Sequence, residues 1–280
     1  PDRGFQEELA RLRDPKGSIS GRVVLGERLS SIRAIAHATD VRLTTLYDRV
    51  PFPLTIEGGK VDYEGDRIGF SGLRGRLGGS SFAGLTGRVA LGEAPGASLD
   101  SGQARLSVDE LFPWLSSTDL AREALSHVKS ARGTVEVSSI SAGGPLEAPG
   151  GWRYDASGRV NDLVLVLAPL PGPVTVRRGG FHVLPGTFSV SGADAELLDA
   201  KARGSADIRY SGEGISRLSA SLEEGEFGPA VTEWVFPRLH LPQGIAIRTP
   251  ISASAAAFSW EKRGAVTFRG DIRRPGGAVL

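Results

Sequence analysis

The chain has 280 residues, 40% hydrophobic and 23% charged, enough apolar material for a sizeable core in one elongated body or two domains. Its 33 basic and 32 acidic side chains leave a net charge of +1, too even a balance for the basic footprint of a nucleic-acid binder. The absence of Cys excludes disulfides, thiolate nucleophiles and Cys-based zinc sites, and no apolar run reaches the roughly 18 to 20 residues of a membrane-spanning helix.

Glycine accounts for 38 residues without a three-residue period, which implies many tight turns between short strands. With neither an initiating Met nor a secretory signal, the sequence reads as an excised or processed segment whose targeting information lies elsewhere. In chain order, Phe5–Arg13 comes first: Phe5, Leu9 and Leu12 fall at helical spacing, and Pro15 with Gly17 should end the segment. Residues 1–17 are therefore expected to form an N-terminal helix or linker.

The next stretch is repeated. An ungapped offset of 120 residues places Pro51 and Pro53 on Pro171 and Pro173, Leu54 and Ile56 on Val174 and Val176, and Gly59 on Gly179. It continues with Val61 and Tyr63 on Phe181 and Val183, Ile68 and Phe70 on Phe188 and Val190, Gly72 on Gly192, Leu77 on Leu197, Gly84 on Gly204 and Trp114 on Trp234. Apolar residues at every second position mark strands with one buried side, and Glu64-Gly65-Asp66 and Leu184-Pro185-Gly186 read as hairpin turns. Each copy is thus a β-meander.

Between the copies, Ser107-Val108-Asp109-Glu110 opens a helical segment containing Leu111, Leu115, Leu120, Leu125 and Val128, expected to break near Pro113 and to stop by Gly133. A shorter helix, Gly228–Phe236, should close the second copy at Pro237. Leu241-Pro242 with Ile245 and Ile247 imitates the start of the second copy and predicts a partial third. The expected organisation is 1–17, 18–132 for the first unit with its broken helix, 133–240 for the second, and 241–280 for the start of a third.

No catalytic centre emerges. His37, His127, His182 and His240 lie in unrelated contexts without a Ser or Asp signature, and no metal-ligand or EF-hand spacing occurs. Glu223-Glu224 and Asp194 with Glu196 read as solvated strand residues rather than a glycosidase pair, and Arg177-Arg178 and Arg273-Arg274 as solubilising surface pairs. Leu77-Gly78-Gly79-Ser80-Ser81 lacks the Lys-Ser/Thr ending of a phosphate-binding loop and reads as a turn.

Leu163-Val164-Leu165-Val166-Leu167 is apolar on both sides, so something apolar must cover each. Either the strand is packed between two protein layers, or one side lines a channel for acyl chains. On the second reading Leu54, Ile56, Ile68 and Phe70, then Leu163, Leu165 and Leu167, then Val174, Val176, Phe188 and Val190 form the lipid-facing strip.

Leu73-Arg74-Gly75-Arg76-Leu77-Gly78-Gly79-Ser80-Ser81-Phe82, preceded by Gly59-Lys60-Val61-Asp62-Tyr63, resembles the AsmA-like family of bacterial envelope proteins, relatives in architecture of TamB and YhdP. Arg105-Leu106-Ser107-Val108-Asp109-Glu110-Leu111-Phe112-Pro113-Trp114-Leu115 carries the same resemblance, which spans about Gly21 to Gly270. It implies a mainly β fold: an elongated, twisted antiparallel sheet of repeated meander units forming a curled groove, with a few short helices. It also implies a periplasmic, non-enzymatic protein without cofactors, whose apolar groove holds or conducts phospholipid or another acyl-chain ligand between inner and outer membranes. Inner-membrane attachment would come through an N-terminal anchor absent from this sequence, and envelope proteins are possible partners. The alternative is a structural or assembly module for outer-membrane biogenesis that binds partners through its sheet edges.

Overall fold

The computed structural model describes residues 10–24, 35–48, 50–64, 66–91, 94–118, 122, 125–146, 148–211, 214–235, 237, 250–262, 264 and 267–273. Among them are fourteen strands: β1 Leu12–Val24, β2 Ile35–Tyr47, β3 Val50–Glu64, β4 Arg67–Leu77, β5 Ser80–Ala90, β6 Gly96–Ser107, β7 Val128–Pro145, β8 Arg153–Leu167, β9 Val174–Leu184, β10 Thr187–Leu197, β11 Ala200–Ser211, β12 Gly214–Phe227, β13 Ile251–Glu261 and β14 Thr267–Arg273. Two helices, α1 Val108–Ser117 and α2 Pro229–Val235, follow β6 and β12. Each strand pairs with its neighbours in sequence, so the sheet is an open antiparallel meander from β1 to β14.

The chain divides into two compact units, Pro1–Trp114 with Glu136–Ser157, and Leu115–Val135 with Gly158–Leu280.

The repeat has a structural counterpart. β4 and β10 begin and end at the same offset of 120, β5 and β11 begin at it, and β6 and β12 end at it. Gly72 and Gly192 share a left-handed backbone, φ 59° and 55°, where a Cβ would be strained. β9 turns into β10 through Pro185-Gly186, with Gly186 at φ 75° as a type II turn requires after proline.

Two expectations change. Leu12 and Arg13, assigned to the N-terminal helix, begin β1, and Pro15 lies within that edge strand beside a register shift, where a missing N–H is tolerated. Phe5–Leu9 lies outside the described residues. α1 runs unbroken through the exposed Pro113 to Ser117, one absent N–H being a smaller loss than a broken helix, and Val128 belongs to β7. Leu241, Pro242, Ile245 and Ile247, expected to open a third copy, lie outside the described residues.

Both helices are fastened to a hairpin two strands earlier, by exchanged chemistry. In the first copy the Gly79 N–H, in the β4–β5 turn, donates to the Glu110 carboxylate of α1 at 2.5 Å. In the second copy the carboxylate is on the turn: Asp199 accepts from the N–H groups of Ala230 and Val231, at 2.7 and 2.9 Å, in the first turn of α2. Positions 79 and 199, and 110 and 230, are equivalent by the repeat, so acid and partner have changed places. Loss of water pushes the Asp199 carboxyl up, but the N–H groups of Ala230 and Val231 and its own backbone N–H outweigh this and hold it below its ordinary 3.8. Leu111 and Val231, also equivalent, are both buried beneath their helices, and Trp114 meets Phe52 of β3 edge-on at 6.1 Å.

Candidate functional site

The register of each unit sorts its side chains by physical character. In the second unit Val176 stands opposite Ala195, Ala195 opposite Ala202, Ala193 opposite Gly204, Gly204 opposite Leu222 and Leu222 opposite Ala256. A parallel row joins Phe181, Val190, Ala206, Ala220 and Phe258. Directly opposite residues share a side of a sheet, so this side is apolar across five strands. The other side carries ion pairs. Arg177 reaches Asp162 at 3.5 Å and Glu196 at 3.3 Å, Arg178 meets Asp194, and Arg203 lies 3.8 Å from Asp194 and 3.2 Å from Glu223. Glu196 and Asp162 raise the Arg177 pKa and keep it protonated. These pairs are exposed and screened by solvent, so their main effect is to keep that side wetted.

A bulge makes the sorting possible. Arg177 and Arg178 are consecutive yet both point to the charged side, at a register shift that puts Val176 back in phase with Phe181 and Val183. The first unit does the same at Glu57 and Gly58. Glu57 binds Arg76 at 3.2 Å on the charged side, and a Cβ at Gly58 would touch the Arg74 guanidinium there.

A trough of about 340 Å3 crosses β9 to β13 on the apolar side of the second unit. Its lining includes Val176, Val190, Ala193, Ala202, Ala220 and Leu222, with no charged side chain. Four strand spacings of about 4.8 Å give it a span of about 19 Å. Apolar burial nearby is incomplete: no large side chain is fully buried among the described residues, and the buried apolar set includes Ala200, Ala253, Ala256 and Ile251 of this unit.

All eleven residues of the sequence-derived strip are half-buried, none fully. Val176 and Val190 line the trough, and Val174 and Phe188 lie on the same side of β9 and β10, opposite Leu197 and Val183. Leu54 and Ile56 stand opposite Leu77 and Gly75, while Ile68 and Phe70 stand opposite Tyr63 and Val61, all on the apolar side of the first unit. Leu163, Leu165 and Leu167 share one side of β8 by alternation, and Val164 and Val166, half-buried as well, take the other.

The alanines of the lining carry no signal in an alternation of large apolar residues. A comparison of the two copies would have found them: Ile56, Phe70, Leu73 and Phe82 become Val176, Val190, Ala193 and Ala202. Each change removes side-chain volume from the trough floor.

The residues weighed for catalysis are dispersed. The His37 ring nitrogen lies 2.6 Å from Asp62 on an exposed surface of the first unit, Glu223 and Asp194 are engaged by arginines, and His240 is outside the described residues. Among the described residues no group of three or more His, Asp or Glu is arranged to hold a metal, and no helix is long and apolar enough to cross a membrane. No protein-family model matches the chain, and neither does any curated protein or solved structure.

Proposed function

We propose that the chain is a lipid-binding segment of an AsmA-like envelope protein, holding or conducting phospholipid along the apolar side of its sheet in the bacterial periplasm. The trough across β9 to β13 carries this reading: an uncharged, alanine-floored channel about as long as an extended acyl chain. Binding follows from area alone, at about 0.8 kcal/mol for each CH2 removed from water. With no charged side chain to fix a chain at one point, neighbouring positions are near-equal in energy and the chain slides. Transfer between inner and outer membranes, with attachment to the inner one, extends the same reading to the parent protein. The alternative of an assembly module would require the apolar side to be closed, and the trough disfavours it in the second unit.

The test is lipid extraction and mass spectrometry of gently purified protein, followed by titration with a fluorescent long-chain fatty acid. Phospholipid is expected to co-purify and the fatty acid to bind saturably. A193L/A202F restores the side chains of positions 73 and 82, and should weaken that binding about ten-fold or more while leaving the fold intact. Lipid-free protein that also rejects the fatty acid would refute the proposal.

A further inference from the structure

On the charged side of the second unit, four of the five arginines of β9 to β12 reach a carboxylate: Arg177, Arg178, Arg203 and Arg217. Arg209 reaches none among the described residues. It stands directly opposite Arg217 on one neighbouring strand and Thr187 on the other. Like charges facing each other across a strand pair are destabilising unless something lies between them. The link from Arg217 to Glu261 is long, at 3.7 Å. Thr187, Asp207, Arg209, Arg217 and Ser219 together line a recess of about 250 Å3.

We infer that this recess binds a phosphate ester that also carries an ammonium group. Two guanidinium groups facing one cavity suit the oxygens of a phosphate, which planar N–H forks engage in pairs, and the hydroxyls of Thr187 and Ser219 supply further donors. Asp207, which accepts from Ser189 Oγ at 2.6 Å, would repel a purely anionic ligand. It lies two residues along β11 from Arg209, about 6.6 Å, so an ammonium one short linker away from the phosphate meets it. The charged groups facing the recess are Arg209, Arg217 and Asp207, with Glu261 beyond Arg217. The site is on the opposite side of the sheet from the trough and does not depend on the acyl-chain reading.

The test is titration of the full chain with phosphoethanolamine, inorganic phosphate and ethanolamine, followed through the arginine side-chain 15N signals. Phosphoethanolamine should bind about ten-fold more tightly than phosphate, and ethanolamine should not bind. R209Q should weaken phosphoethanolamine about ten-fold, with R217Q as a second probe of the same pair, and D207N should remove the preference over phosphate. Vesicles containing phosphatidylethanolamine, set against vesicles of phosphatidylcholine alone, separate the sources: competition assigns a lipid headgroup, and its absence a soluble aminoalkyl phosphate. Equal binding of phosphate and phosphoethanolamine, no saturable shift, or R209Q and R217Q that bind like the unmodified protein would each overturn the inference.

Discussion

Replacing Glu110 with alanine should loosen α1 from the β4–β5 turn. The residue supplies one charge-assisted hydrogen bond, to the Gly79 N–H, and a carboxylate in the first turn of the helix. The bond contributes about 1.5 kcal/mol at the low end for a charged acceptor on an exposed surface, and the helix dipole adds about 0.3 kcal/mol. E110A should therefore cost about 2 kcal/mol, read as a lower urea midpoint by tryptophan fluorescence, since Trp114 lies on α1. The exchanged arrangement of the second copy supplies the control. D199G should lower the midpoint, and D199G/A230E should recover most of that loss by recreating the first copy's geometry. The reverse transplant needs three changes. A Cβ at Gly228 would come within 2.3 Å of the Asp199 carboxylate, and position 108 is Val, so G79D/E110A should fail where G79D/V108G/E110A succeeds. An E110A protein as stable as the parent, or a D199G/A230E protein no better than D199G, would refute the reasoning.

Two further outcomes follow from the same turn. The Asp199 carboxyl titrates below its ordinary 3.8, so its contribution is present above that value and is lost as pH falls through the lower folded one. D199N should flatten the stability profile in that acid window, checked by urea midpoints between neutral and acid pH. Leu198 adopts φ 54° where the first copy has Gly78 at 56°, and L198G should raise the thermal midpoint by about 0.5 to 1 kcal/mol equivalent, by calorimetry.

Much of the meander was legible because its marks are local: Gly72 and Gly192, Pro185-Gly186, and alternating Val, Ile and Phe. The phase shift was legible too, since Leu54 and Ile56 are even-numbered while Val61 and Tyr63 are odd, yet only the register at Glu57-Gly58 shows that both pairs point the same way. The expected N-terminal helix was drawn two residues too far, into Leu12 and Arg13, because Leu9 and Leu12 have helical spacing whatever pairs with them, and pairing with β2 puts Leu12 in a strand. The trough leaves no mark in the alternation of large apolar residues, because its floor is largely alanine. The carboxylate exchange was hidden for a related reason: comparison by identity discards Gly79 with Asp199 and Glu110 with Ala230, which agree only as pairs.

Strand order that follows chain order also governs how such a protein is made. Each pairing within the β9–β12 run joins strands only two residues apart in the chain, so little chain entropy is spent before a new strand gains its partner. Assembly can advance hairpin by hairpin as the chain emerges, and loss of one hairpin leaves its predecessors paired.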